Sequence, residues 1–230
     1  EGINFKAMKG QTIGVIGGTG SGKSSLVNLI PRLYDATQGE VIVDGVNVKE
    51  YDIETLRNKV GIVMQKAVLF KGTIRENMWM GKKGATDEQI DEALEISQSK
   101  EFVDSKQGRL DYVIEQGGKN LSGGQRQRLT IARAIVRKPD VLILDDSASA
   151  LDFATDAALR KAIRGMNNSP TVFIVSQRAA SLMYADLIIV LDDGQVAGMG
   201  THDELLANCE VYKEIYESQF KKADSEGGVA

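Results

Sequence analysis

Gly17-Gly18-Thr19-Gly20-Ser21-Gly22-Lys23-Ser24 is the stretch on which the reading of this chain turns. Its spacing is Gly, four residues, then Gly-Lys-Ser, the pattern of a phosphate-binding loop. The apolar run Ile13-Gly14-Val15-Ile16 before it reads as a short buried strand. After it, Leu26, Val27, Leu29, Ile30 and Leu33 fall at helical spacing, which predicts a helix to about Tyr34. Four glycines let the backbone fold tightly, so that successive N–H groups point inward at an anion. The helix start adds its positive end. Lys23 would supply a point charge for β- and γ-phosphates, and Ser24 a hydroxyl ligand for Mg²⁺. The plainer alternative, a glycine-rich strand–helix turn that binds nothing, is disfavoured by the strand before and the helix after.

Composition sets the frame. The chain has 230 residues, enough for one domain or a domain with a subdomain. Apolar content of 42% and charged content of 26% are those of a soluble globular protein. A net charge of −4 with mixed signs speaks against a nucleic-acid groove. One cysteine, Cys209, excludes an internal disulfide and fits a reducing compartment. No apolar run approaches the roughly 18–20 residues of a membrane span, and no signal peptide is evident. Glu1-Gly2-Ile3-Asn4-Phe5 alternates like a strand already under way, with no initiator Met, so the chain is expected to be one piece of a larger polypeptide.

Outward from the loop, residues 3–8 and 11–16 read as two strands joined at Lys9-Gly10. Residues 40–43 and 46–48, split by Asp44-Gly45, carry a hairpin signal. A short helix over 53–58 and a buried strand over 60–64 lead to Gln65. Leu69-Phe70-Lys71-Gly72-Thr73-Ile74-Arg75-Glu76-Asn77 opens a mostly polar helical region. Thr86-Asp87-Glu88 starts a helix with Ile90, Ala93, Leu94 and Ile96 on one face. Leu121-Ser122-Gly123-Gly124-Gln125 opens another helix to Arg137, stopped by Pro139. Helix 153–165, strands 171–175 and 187–191, a hairpin at 195–198 and a closing helix over 203–219 complete the pattern. Strands alternating with helices point to an α/β fold with a mainly parallel sheet. The apolar strand Val141-Leu142-Ile143-Leu144 ends in Asp145-Asp146. It would deliver Asp145 to the carboxyl edge of the sheet, where that carboxylate could hold Mg²⁺ opposite Ser24. A solvated strand end is the alternative for Asp145.

The order and spacing of Gly17–Ser24, Gln65, Leu121–Gln125, Asp145 and Ser149-Ala150-Leu151-Asp152 resemble the ATP-binding cassette proteins over about residues 3–220. The segments 69–77 and Gly200-Thr201-His202-Asp203-Glu204-Leu205 look like the exporter branch, in which the cassette is fused behind transmembrane domains. The resemblance implies a P-loop NTPase core with an N-terminal antiparallel β-subdomain and an inserted α-helical subdomain. One cassette domain would span 1–220, with its core over 1–71 and 139–220, the helical subdomain over 72–138 and a flexible tail over 221–230. It implies ATP and Mg²⁺ as cofactors. Nucleotide would contact Gly17, Gly18, Thr19, Gly20, Ser21, Gly22, Lys23, Ser24, Ser25, Gln65 and Asp152, and Ser122, Gly123, Gly124 and Gln125 would cap the nucleotide of a partner cassette. Metal would fall to Ser24, Gln65 and Asp145. No nucleic acid is implied, and the place of work is the cytoplasmic face of the cell membrane.

Two departures stand at the hydrolytic centre. Where the family pattern has Glu after the Mg²⁺ aspartate, this chain has Asp146. Its side chain is one methylene shorter, which withdraws the carboxylate by about an ångström, and misplacement on that scale can cost about 10²-fold. Where the pattern has a switch His after the next strand, this chain has Gln177, which can donate a hydrogen bond but carries no charge. Its one histidine, His202, lies in a turn where helix-start packing is the plainer role. The expectation is the degenerate half of a heterodimer, an ATPase impaired at its own site. A homodimeric slow ATPase and a non-hydrolytic ATP-gated regulatory module are the alternatives. A chromosome-type cassette is disfavoured because residues 25–120 carry no heptad run. In exporters of this family Glu-Arg-Gly comes a little before the family signature, which here is Leu121–Gln125; this chain has Glu115-Gln116-Gly117-Gly118 there, without arginine. An adenine-stacking aromatic is expected upstream of this chain rather than at Phe5.

Overall fold

A computed structural model describes residues 1–146 and 150–226. In chain order the elements are β1 (Thr12–Gly17), α1 (Lys23–Asn28), β2 (Ile42–Val43), β3 (Val46–Asn47), α2 (Ile53–Lys59), β4 (Val60–Val63), β5 (Gly72–Thr73), α3 (Ile74–Trp79), α4 (Asp87–Ile96) and α5 (Lys100–Asp104). Then follow β6 (Val113–Ile114), α6 (Gly123–Ile135), β7 (Val141–Asp145), α7 (Phe153–Arg164), β8 (Thr171–Val175), β9 (Leu187–Asp192), β10 (Gln195–Gly200), α8 (His202–Asn208) and α9 (Glu210–Glu226). The fold is mixed α/β, with mainly parallel sheet and separate antiparallel pairs, as the sequence pattern leads one to expect. The chain forms two compact units, Glu1–Leu56 with Thr171 onward, and Arg57–Pro170.

The first unit is built on strands in the order β10-β9-β1-β8. β1 runs parallel to both β8 and β9, with Val15 opposite Val175 and Ile189. β10 returns antiparallel to β9, with a bulge between Val196 and Gly198. Ile13, Val15, Ile16, Ile188, Ile189 and Val190 are fully buried. Such continuous apolar runs suit parallel strands covered on both faces. The β2–β3 hairpin turns at Asp44 and Gly45, both with positive φ (50° and 79°), the conformation a two-residue primed turn demands.

Two expectations for this unit change. Residues 3–8 form no ladder; Phe5 instead sets its ring edge-on to Phe173 at 6.2 Å, and the Thr171 hydroxyl donates to the Met8 carbonyl. Alternation alone cannot say whether a neighbouring strand is there to pair with. Helix α1 ends at Asn28 rather than near Tyr34. The bonds after it tighten to Leu29 N–Leu26 O and Ile30 N–Val27 O, and Pro31 has no N–H to continue the helix.

The second unit pairs β4 with β7 in parallel, Val60 opposite Val141 through Val63 opposite Leu144. Helix α6 packs against α4, α3 and β4. Ile90, Leu94, Leu129 and Ile131 are fully buried in the core of this unit. Helices α3, α4 and α6 each start with a complete capping box, Thr73 with Glu76, Thr86 with Gln89, and Ser122 with Gln125. Each satisfies orphan N–H groups reciprocally. The loop before α3 is closed by Asn77, fully buried, whose amide donates to the carbonyls of Phe70 (2.9 Å) and Thr73 (3.0 Å) and accepts from Phe70 N (3.0 Å). No helix among the described residues is long and apolar enough to cross a membrane.

Candidate nucleotide site

The glycine loop leaves the buried end of β1 and enters α1. A Cβ at Gly17 would lie 2.1 Å from the Leu191 carbonyl oxygen and 2.6 Å from Ser21 Oγ, so the approach of β9 demands glycine there. Gly22, the residue before α1, has φ 91° and ψ 8°, a left-handed conformation. Lys23 is the first residue of the helix and is buried. Its Nζ donates to the carbonyls of Gly17 (2.9 Å) and Gly18 (2.6 Å) and lies 3.4 Å from Ser21 Oγ. The loop therefore wraps round its own ammonium and fixes a positive charge at its centre. Gly18, Thr19, Gly20, Ser24 and Ser25 are exposed around that charge. An anion approaching them meets Lys23 and backbone N–H groups with few side chains in the way.

Gln177 leaves the same edge of the first unit. β8 lies beside β1 in parallel, and Ser176 N donates to the Val15 carbonyl at 3.1 Å. The loop after β1 and Gln177 after β8 thus depart from the carboxyl ends of adjacent parallel strands, where ligands of open α/β sheets gather. Gln177 is exposed.

In the second unit, Gln65 and Asp145–Asp146 likewise follow the carboxyl ends of the parallel pair β4 and β7. Gln65 Nε2 donates to Asp146 Oδ2 at 3.1 Å. Asp145 is 5% exposed, held at the end of a buried strand. Asp146 takes a left-handed backbone with φ 44°, which aspartate tolerates better than most side chains. In the second unit Gln65 and Asp145 each offer oxygen, and in the first unit so does Ser24; oxygen is the donor type that suits Mg²⁺ held mainly by phosphates and water. Among the described residues, no three His, Cys, Asp or Glu side chains gather into a cage of their own.

The signature segment is a helix start. Ser122 Oγ accepts from Gln125 N at 3.2 Å, and Gln125 Oε1 accepts from Ser122 N at 3.1 Å. A Cβ at Gly123 would meet nothing within 4 Å, and one at Gly124 would meet only the Ala150 carbonyl, at 3.4 Å. The start of α6 is therefore open to a second molecule. It lies beside the 150–152 turn, in which Asp152 caps α7 by accepting from Thr155 N at 2.9 Å and from its hydroxyl at 2.7 Å. Those bonds hold the Asp152 carboxyl below the usual carboxylate range. Ser149 lies outside the described residues.

Sequence reasoning did not find the residues that brace these loops. Arg133 of α6 donates from Nη2 to the Val68 carbonyl at 2.9 Å and covers the Phe70 ring, tying the segment after Gln65 to the signature helix. Burial lowers its pKa. Arg126 donates to the carbonyls of Gly118 (3.4 Å) and Leu121 (3.1 Å), and its methylenes fill the space that a Cβ at Gly118 would need. An arginine inside an amphipathic helix carries no signal that it will fold back on a preceding loop. The segment 200–205 proves to be another helix start, with Thr201 and Glu204 as the capping box. His202 is buried there, its Nδ1 2.7 Å from the Tyr212 hydroxyl.

The glycine loop between a buried strand and a helix has the form of a phosphate-binding loop, and comparison with known proteins supplies the family. Residues 1–149 match the family described as ABC transporter. The chain belongs to that family, as an ATP-binding cassette domain related to those of exporters. It is 45% identical over 224 residues to an uncharacterized ABC transporter ATP-binding protein, YfiB, of Bacillus subtilis, covering 97% of this chain and 39% of that protein. It is 39% identical over 217 residues to a Staphylococcus aureus protein provisionally named a multidrug export ATP-binding/permease protein, covering 94% of this chain and 38% of the relative. A solved bacterial Atm1-family ABC exporter with ATP bound superposes with a TM-score of 0.88 at 32% identity, over 94% of this chain and 38% of that one. The chain thus spans about two-fifths of the length of the relatives it matches.

Proposed function

We propose that this chain is the ATP-binding motor domain of an exporter, working at the cytoplasmic face of the membrane beneath transmembrane domains. It pairs head to tail with a second, different cassette and sandwiches two ATP molecules. Lys23 and the loop N–H groups hold the β- and γ-phosphates, Ser24 and Asp145 the metal, Gln177 the terminal phosphate. When bound, Mg²⁺ neutralises charge on the phosphates. Ser122, Gly123 and Gly124 cap the nucleotide of the partner, while Asp152 runs along the shared interface. The helical segment 72–138 turns against the core, 1–71 with 139–220, as nucleotide binds and leaves.

The observation that carries the asymmetric role is the chemistry at Asp146. A general base for hydrolysis must reach an attacking water. This carboxylate is a methylene short and already accepts from the Gln65 amide. With an amide at Gln177 in place of an imidazole, the site is equipped to hold ATP and poorly equipped to cleave it. Its signature segment, with a complete helix cap and open glycines, remains fit to complete a competent site on the partner.

The test is ATP turnover by the assembled transporter with Asp146→Glu and Gln177→His installed together. Turnover should rise about 10-fold or more at this chain's site, with the partner's own catalytic carboxylate removed to silence the other site. If the double variant stays silent in that background, the division of labour is wrong. If the unmodified transporter proves to be two copies of this chain, the heterodimer is wrong.

A further inference from the structure

Gln219 sits on α9 where the helix passes the turn after β8. Its amide grips that turn at two points. Nε2 donates to the Gln177 carbonyl at 2.7 Å, and Oε1 accepts from Ala179 N at 2.9 Å. One planar side chain therefore uses both its donor and its acceptor on backbone groups two residues apart. The turn is held at its edges as well. Ser176 N bonds Val15 O, Arg178 N donates to Ser176 Oγ at 2.9 Å, and the fully buried Leu182 packs against Gly14 of β1. The clamp falls on the main chain of Gln177, while the residue itself is exposed. The near end of α9 is also fixed, because the fully buried Tyr212 bonds His202 and stacks edge-on against it at 5.7 Å.

We propose that Gln219 is a positioning residue for the nucleotide site: by pinning the backbone of Gln177 it presents the Gln177 amide to the terminal phosphate of ATP. This rests on the reading of Gln177 as a phosphate contact. The closing helix, far along the chain from the glycine loop, thereby sets how long ATP stays. A shift of about an ångström at such a contact can cost up to about 100-fold, so loss of one of several holding points should speed ATP release about 10-fold.

The experiment measures release of radiolabelled ATP from the assembled transporter in Mg²⁺. Variants are Gln219→Ala, Gln219→Glu and Gln177→Ala, with melting temperatures recorded alongside. Gln219→Glu is the decisive one. At pH 8 its carboxylate can accept from Ala179 N but has no proton to give the Gln177 carbonyl, so release should be about 10-fold faster than in the parent. Glutamate keeps the volume of the side chain and its acceptor, so only the donated bond is removed. Gln219→Ala should be fast as well. Parent-like release in Gln219→Ala and Gln219→Glu at pH 8, with fast release in Gln177→Ala, overturns the role of Gln219 alone. Parent-like release in Gln177→Ala overturns the reading beneath it. Parent-like release in Gln219→Glu beside fast release in Gln219→Ala would mark Gln219 as a packing residue and end the proposal.

Discussion

At the scale of single residues, the nucleotide loop is decided by space. Gly17 cannot accept a Cβ because the Leu191 carbonyl would be 2.1 Å away, while Gly20 has open space around it and only a positive φ of 83°. The two glycines should therefore respond differently to the same change. Gly17→Ala forces backbone against backbone and should lose about 2–3 kcal/mol of stability, with MgATP binding lost as the loop shifts. Gly20→Ala meets only the left-handed penalty, about 1–2 kcal/mol. Urea unfolding of both variants, with and without MgATP, separates them; equal losses would mean that the approach of Leu191 does not constrain the loop. The need for glycine at 17 was legible in the spacing of the motif. The cause was not, because the clashing carbonyl comes from a residue more than 170 positions away. Asp146 and Gln177 were legible in the same way as departures from a pattern. The bond from Gln65 to Asp146 and the grip of Gln219 on the turn were not, since an amide on a polar helix face looks the same whether it meets water or a loop.

At the scale of elements, most helices and strands followed from periodicity and caps. Helix α4 starts where Thr86 announces it, α7 starts at Phe153 as its pattern suggests, and strand β8 has the bounds its apolar run suggests. The misses have separate causes. Residues 3–8 have strand-like alternation but no partner strand, and α1 stops short because Pro31 interrupts its bonding while apolar spacing continues to Leu33. Helices α8 and α9 show what packing adds to pattern. They are joined by His202 and Tyr212, and burial pushes the Tyr212 phenol up to about 12. The sign follows from which state gives up its proton first. Above pH 10 the unfolded chain loses the phenolic proton while the folded chain keeps it, so this contribution is whole below pH 10 and drains away toward pH 12. The slope is about 1.4 kcal/mol per pH unit. Tyr212→Phe should be about 1–2 kcal/mol less stable at pH 7, where the buried His202 nitrogen loses its partner. Its stability should fall less steeply through pH 10–12, so the two curves converge. Guanidinium midpoints at pH 7, 10.5 and 11.5 test this, and parallel curves would remove Tyr212 from the account.

At the scale of the whole molecule, carboxylates spread over the chain share one bias. Hydrogen bonds hold Asp35 (from Arg32), Asp52 (from Thr55), Asp87 (from Arg75), Asp104 (from Lys100, then Arg109), Asp152 (from Thr155) and Glu204 (from Thr201) below their ordinary pKa values. A depressed carboxyl contributes stability that is present above its unfolded pKa, near 4, and is lost as pH falls through the folded value. Stability should then be flat from pH 7 to about 5 and decline steadily below about 4. Two of the six are helix caps, Asp52 before α2 and Asp152 before α7, and these permit a clean dissection. Asparagine at a cap still accepts the N–H but cannot take up the proton. The double variant Asp52→Asn with Asp152→Asn should therefore match the parent near pH 7 and lose stability less steeply below pH 4, by up to about one proton per site. Urea unfolding at pH 7, 4 and 3 reads both quantities. Equal acid slopes would show that these caps titrate as they do in the unfolded chain. A large loss already at pH 7 would show that the bonds from the Thr55 and Thr155 hydroxyls, the first to the same Asp52 oxygen that takes Thr55 N and the second to the other oxygen of Asp152, matter more than the charge.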